Sequence, residues 1–219
     1  AASIFDPDDR AGKKTLNDIA ERAKDSAAPS AAELGSAVHA FSEAVDQGAL
    51  ISSMPEDFQP DLRAYVQLLE DLGLEIVSME QFIVVDADKV GGSYDRIYRT
   101  TRELSVKTGG TETTIPAGTY LIGDLKTGKN AVLGAGKFAV QLGAYSRGVA
   151  YNHTTGSREP LPPVDQNWAI VIHLPVGQGV ATAYLLNIDA GYNVGLQLAH
   201  QVRAWRTRKD LIFAITPAA

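Results

Sequence analysis

The chain has 219 residues, enough for one substantial core with a small helical appendage, and its 45% hydrophobic and 21% charged content is ordinary for a soluble globular protein. It contains no cysteine, which excludes disulfides, thiolate zinc sites, iron–sulfur clusters and cysteine nucleophiles together. A net charge of −6 argues against broad, nonspecific coating of nucleic acid, yet leaves room for a local basic strip beside acidic ligands.

Residues 1–29 read as a leader with a short helix over Thr15–Lys24, and 30–219 as a single domain. The start, with Asp6, Asp8 and Asp9, is unlike a secretory signal, and no apolar run reaches a membrane span, so a cytoplasmic protein without membrane contact is expected. Ser30-Ala-Ala-Glu33 is a capping box opening a helix that ends at Gly48, with Leu34, Val38, Phe41 and Val45 as its core stripe. His39 lies at the edge of that stripe, between Gly35 and Glu43 one turn away on either side. A second helix spans Pro60–Leu72 and closes at Gly73.

Leu74–Asp86 reads as a strand containing Glu80, and Ser93–Thr100 as its neighbour. Regular alternation in the latter puts Ser93, Asp95, Ile97 and Arg99 on one face and Tyr94, Arg96 and Tyr98 on the other. Leu104–Ile115 reads as a polar excursion turning at Gly109-Gly110. The strand from Gly118 delivers Asp124 and Lys126 to one face at its end, with Leu125 inward and its carbonyl exposed where the strand stops. Two neighbouring strands then bring Asp95 and Asp124 side by side, an arrangement a divalent cation resolves and Lys126 resolves in part.

Gly123–Asn130 imitates a phosphate loop, but Asn130 lacks the hydroxyl that holds magnesium, and no helix follows directly. Lys137–Tyr151 is expected to be helical, with Gln141 and Tyr145 on one face and Phe138, Leu142 and Val149 packed inward. His153–Gln166 reads as a loop. A hairpin follows, Trp168–Leu174 and Val180–Ile188 around a turn at Pro175–Gly179, with His173 in a structural role. The last helix, Ala190 to about Thr207, carries Val194, Leu198, Val202 and Trp205 and gathers Arg203, Arg206, Arg208 and Lys209.

Four motifs occur in order on these elements: Gly35-x-x-x-His39, Gly92-Ser-Tyr-Asp95-Arg-Ile, Gly123-Asp124-Leu-Lys126-Thr-Gly and Gln141-x-x-x-Tyr145. Together they resemble the RecB-type branch of the PD-D/ExK nuclease superfamily, which includes the CRISPR adaptation nucleases. The resemblance implies an α/β fold with a restriction-endonuclease-like core, a central mixed sheet flanked by helices. It implies Mg2+ or Mn2+ held by His39, Asp95, Asp124 and the Leu125 carbonyl, with Asp95, Asp124, Lys126, Gln141 and Tyr145 as the catalytic set. Lys126 would activate the attacking water, Gln141 and Tyr145 would position Lys126 and the substrate backbone, and Glu43 and Glu80 would lie further out.

The four cysteines of the adaptation nucleases are missing here, so no iron–sulfur cluster is expected. The implied activity is a metal-dependent DNA nuclease, an exonuclease in replication, recombination or repair. The alternative is a module on the same fold that binds nucleic acid or a partner without cutting. The implied partners are DNA, as single strands or ends, and either a second copy of the chain or a replication or recombination protein. Arg96, Arg99, Arg102, Lys107, Lys129, Lys137 and Arg147 form the candidate substrate surface.

Overall fold

A computed structural model describes residues 30–108, 110–130 and 132–208. The leader, the Thr15–Lys24 helix, Gly109 and Lys209 lie outside the described residues. Helix α1 (Ala31–Asp46) opens on the expected capping box: the Glu33 amide donates to Ser30 Oγ at 3.3 Å, and Ser30 N–H donates to the Glu33 carboxylate at 2.7 Å. Helix α2 (Gln59–Leu72) stops where Gly73 turns left-handed, at φ +62.

Strand β1 (Leu74–Val85) turns back into β2 (Val90–Thr100). The polar excursion is a separate two-stranded hairpin, β3 (Leu104–Thr108) and β4 (Thr111–Ile115). After β5 (Tyr120–Lys126) comes α3 (Ala135–Tyr145), which is shorter than its helical pattern suggests. A side chain at position 148 would run into Ile83 and the Val84 carbonyl, so Gly148 lets the chain cross closely over β1. Residues expected to continue the helix therefore become β6 (Val149–Tyr151), which pairs with β1. Within the expected loop, β7 (Arg158–Pro160) pairs with β6. The predicted hairpin is present as β8 (Trp168–His173) and β9 (Thr182–Asn187), its turn held by the buried Asp61 carboxylate, which accepts from the amides of Gly177 at 2.6 Å and Gly179 at 2.7 Å. The last helical stretch begins with one turn at Ile188–Ala190, widens to π geometry over Gly191–Leu196, and continues as α4 (Gln197–Arg206).

The seven-stranded sheet has the order β7-β6-β1-β2-β5-β8-β9. The β5–β8 pair is parallel and the others are antiparallel, so the sheet is mixed, as expected. Strand alternation sorts its side chains into two cores. Leu121, Leu125, Ile170 and Ile172 pack with α1 and α2, whereas Ile122, Ala169 and Val171 pack with α3, Ile188 and Leu196. The protein is thus an α/β layered structure with helices on both faces of a central sheet. Val194, Leu198, Val202 and Trp205 are exposed along the last helical stretch. Among the described residues, no helix is long and apolar enough to cross a membrane.

Candidate functional site

The motif residues meet where two strands part. Pairing of β2 with β5 runs from Arg99 opposite Tyr120 to Arg96 opposite Gly123 and stops there, while β5 stays paired with β8 as far as Lys126 opposite His173. Asp95 and Asp124, which would have been the next partners, instead flank an opening. Asp95 Oδ2 accepts the Leu125 amide at 2.7 Å and lies 3.6 Å from Nδ1 of His39 on α1.

The alternation expected for β2 breaks at this point. In a regular strand, residues on one face are an even number apart. Tyr94 and Ile97, three apart, share the α3-side core, while Tyr98 packs in the opposite core and Arg96 reaches Ser42 and Asp46 of α1. Asp95 and Arg96 therefore both engage α1, although they are consecutive. On the neighbouring strand, Glu80 faces this break at φ +46, between Met79 opposite Arg96 and Gln81 opposite Tyr94. A left-handed non-glycine residue inside a strand is uncommon, and it swivels the ladder where the chain needs to turn.

Asp124 is 3% exposed. Its Oδ2 is ion-paired and hydrogen-bonded to the Lys126 ammonium. Burial foremost, and then the charge of Asp95, push the Asp124 carboxyl up to about 6 against the pull of Lys126. The Lys126 ammonium also lies over the Phe138 ring, 4.6 Å from its centroid. Phe138, expected to pack inward, is half-buried and rests on the bare backbone of Gly134. It was not singled out as a site residue because an aromatic at a helical core position gives no local sign of a cation beside it.

The His39 imidazole is held below its ordinary range, chiefly by burial. Asp95 and the Leu125 backbone oppose this, while the cations Arg96 and Lys126 reinforce it. Glu43 and Glu80 hydrogen-bond to each other at the outer edge of the same opening. Burial and then the charge of Glu43 push Glu80 up to about 7, and burial raises Glu43 as well.

Gln141 and Tyr145 are placed differently from the expectation that they position Lys126. Tyr145 is buried in the second core, with Gln141 hydrogen-bonded to its hydroxyl and Asp124 near enough to act on it electrostatically. Its hydroxyl occupies the space that a side chain on Gly92 would take. Gly35 has a similar role, since a Cβ there would stand 2.6 Å from Thr127 Oγ1, in the segment that follows β5. Both motif glycines thus admit a neighbouring element of the chain itself. His173 Nε2 donates to the Gly128 carbonyl oxygen at 2.7 Å and pins the same segment, a structural role.

The expected basic strip does not assemble. Arg96 is fully buried. Arg147 is spent on the carbonyls of Gly143 and Gln166, on Asp189 and on the Tyr192 ring. Arg102 caps α2 through the carbonyls of Glu70 and Asp71, and Arg99 pairs with Glu75. Arg99 is four residues along β2 from Asp95, about 13 Å at strand rise. Lys129 and Lys137 remain exposed on the segments that follow β5.

His39, Asp95, Asp124 and the Leu125 carbonyl offer two carboxylates, one carbonyl oxygen and one imidazole, a set suited to a hard divalent cation. The buried Asp124 carboxylate, which carries Lys126 on its Oδ2, supplies an anionic oxygen of the kind such a cation takes. The side chains are not drawn tightly together: among the described residues, no three His, Cys, Asp or Glu groups are gathered to enclose an ion. Neither a family model nor a curated protein matches this chain.

Proposed function

We propose that the chain is a divalent-metal-dependent DNA nuclease with a restriction-endonuclease-like core, acting on single strands or ends as an exonuclease. The observation that carries this reading is the meeting of His39, Asp95, the Leu125 backbone and the Asp124–Lys126 pair at the point where β2 and β5 part. The order of motifs resembling RecB-type nucleases supports it as well.

His39, Asp95, Asp124 and the Leu125 carbonyl would hold Mg2+ or Mn2+, which would lower the pKa of a bound water and neutralise charge on the scissile phosphate. Lys126 brings ammonium donors to the same opening, and would hold the attacking water and meet the negative charge that develops on the phosphate. Its position is set from two sides, by Asp124 and by the Phe138 ring. Burial of Asp124 excludes water from one side of that pair. Tyr145 and Gln141 act from behind, seating α3 against Gly92 of β2.

One observation favours a second reading, a module that binds nucleic acid or a protein partner without cutting: no three ligand side chains are gathered around a common point among the described residues. A single assay separates the two. End-labelled single- and double-stranded DNA, linear and circular, is incubated with the protein in Mn2+, Mg2+ or EDTA, beside Asp124→Ala and Lys126→Ala. The nuclease reading expects metal-dependent cutting that both substitutions abolish, with circles surviving. Binding without cutting in either metal would overturn it in favour of the module.

A further inference from the structure

Among the described residues Arg96 is the largest fully buried side chain, and it lies next to Asp95 in β2. Its Nε donates to Asp46 Oδ2 at 2.6 Å, its Nη2 donates to Ser42 Oγ at 2.8 Å, and its guanidinium lies over the Tyr65 ring at 5.4 Å. Ser42 in turn donates its one hydroxyl proton to the carbonyl of His39 at 2.8 Å. An unbroken chain of hydrogen bonds therefore runs from the guanidinium, through Ser42, to the backbone of His39. Tyr65 closes the set from α2 by donating to Asp46 at 3.1 Å.

The spacing is that of one helix face. His39, Ser42 and Asp46 stand at i, i+3 and i+7 of α1, and all three look toward β2. The broken pleat presents Asp95 and Arg96 together to that face, Asp95 against His39 and Arg96 against the next two turns. The position of His39 relative to Asp95 is thus fixed by a clamp one residue along β2 and one to two turns along α1.

A stabilising role alone is a poor explanation of the clamp. A buried ion pair is frequently replaceable by apolar residues of similar volume without loss of stability. Here, moreover, Arg96 Nη1 finds no acceptor. An arrangement that leaves a buried donor unmet is costly as packing and useful as a fixed geometry.

We propose that Arg96, Ser42 and Asp46 are positioning residues that hold the His39 imidazole in place against Asp95, acting through the His39 carbonyl. This rests on the reading of His39 and Asp95 as ligands of a divalent cation. Partners behind a metal ligand typically change metal affinity by about 10- to 100-fold when removed.

The test uses the full chain without substrate. Mn2+ binding is measured by titration calorimetry and by loss of the free-ion EPR signal, His39 ring nitrogens are followed by NMR in the metal-free protein, and thermal stability is recorded in parallel. The variants are Ser42→Ala, Arg96→Lys and, as a control destabilised in the α2 core, Leu69→Ala. Arg96→Lys keeps the charge but cannot make both directed bonds. The expected result is a loss of Mn2+ affinity of about 10- to 100-fold in Ser42→Ala and Arg96→Lys, with the His39 resonances displaced before metal is added. Leu69→Ala should melt earlier and bind Mn2+ as the wild type does. If Ser42→Ala and Arg96→Lys bind Mn2+ normally with unmoved His39 resonances, the positioning role is overturned and the nuclease reading stands. A wild-type protein that binds no Mn2+ would overturn the ligand reading and this inference with it.

Discussion

Alanine at position 92 would put a methyl group where the Tyr145 hydroxyl sits, with the ring carbon that bears the hydroxyl only 2.7 Å from the new Cβ. Tyr145 is 9% exposed and lies within the second core, so the ring has little room to retreat. Inserting such a group into packed surroundings costs about 1–3 kcal/mol. In open space the same substitution would stabilise by about 0.5–1 kcal/mol, because alanine loses less backbone freedom than glycine on folding. Gly136 supplies that comparison: it is exposed in α3, and nothing lies within 4 Å of a Cβ built there.

For a chain of this size, 1 kcal/mol moves the melting temperature by about 2–4 °C. Gly92→Ala is therefore expected to lower the melting temperature by roughly 2–12 °C, and Gly136→Ala to raise it by roughly 1–4 °C. Because the hydroxyl is the nearest atom, Gly92→Ala combined with Tyr145→Phe should recover part of the loss, with a coupling of at least about 0.5 kcal/mol in the double-mutant cycle. Calorimetric scans of the four variants and the wild type provide the measurement. Equal melting of Gly92→Ala and Gly136→Ala, or strict additivity in the cycle, would refute the account of α3 seated on a bare β2 backbone.

Asp61→Ala removes a buried carboxylate that accepts two turn amides, and should cost about 2–3 kcal/mol in urea unfolding, since water recovers part of each bond; a change below about 0.5 kcal/mol would show that the β8–β9 turn holds itself. A second expectation concerns pH. Glu80 is raised to about 7 in the folded protein by burial and by Glu43, against an ordinary glutamate value near about 4.3. The folded state thus takes up a proton that the unfolded state does not hold over that window, so stability should rise as pH falls from above 7 toward 4.3, and be lost again as pH rises. Thermal melts in EDTA should show Glu80→Gln with a flatter profile and a higher melting temperature than wild type at pH 8; identical slopes would remove the Glu80 proton from the account.

Much of the scaffold was legible from local pattern. The capping box of α1, the stop of α2 at Gly73 and the β8–β9 hairpin each depend on residues within a few positions of one another, and each is found where expected. The shared face of Asp124 and Lys126 follows from strand periodicity, and the two are in contact. Arg96 was illegible for the opposite reason. A cation in a strand reads as surface unless its partner is known, and Asp46 lies 50 residues earlier on a helix. The pleat break was hidden too, because its cause involves Glu80 on another strand as much as Asp95 itself. The three residues of β6 followed a good helical pattern and still became a strand, since an edge of β1 was within reach once Gly148 allowed the crossing.

The break in β2 explains why the charged residues concentrate where they do. A sheet with a regular pleat would send Asp95 toward α3 and Arg96 toward α1, so that only one could meet the helix that carries His39. By turning both to α1, the chain sets a carboxylate beside the imidazole and a guanidinium beside the next two turns, each placed by the same backbone irregularity. Burial works against the Arg96 charge, but Asp46, paired to its Nε, favours it, so the guanidinium remains protonated beneath the opening. A fixed positive charge near Asp124, Glu43 and Glu80 lowers the cost of holding these carboxyl groups close together. The same irregularity therefore creates the acidic opening and supplies the buried cation that makes it tolerable. The pleat break also ends the β2–β5 ladder, which is what frees the Leu125 amide to donate to Asp95.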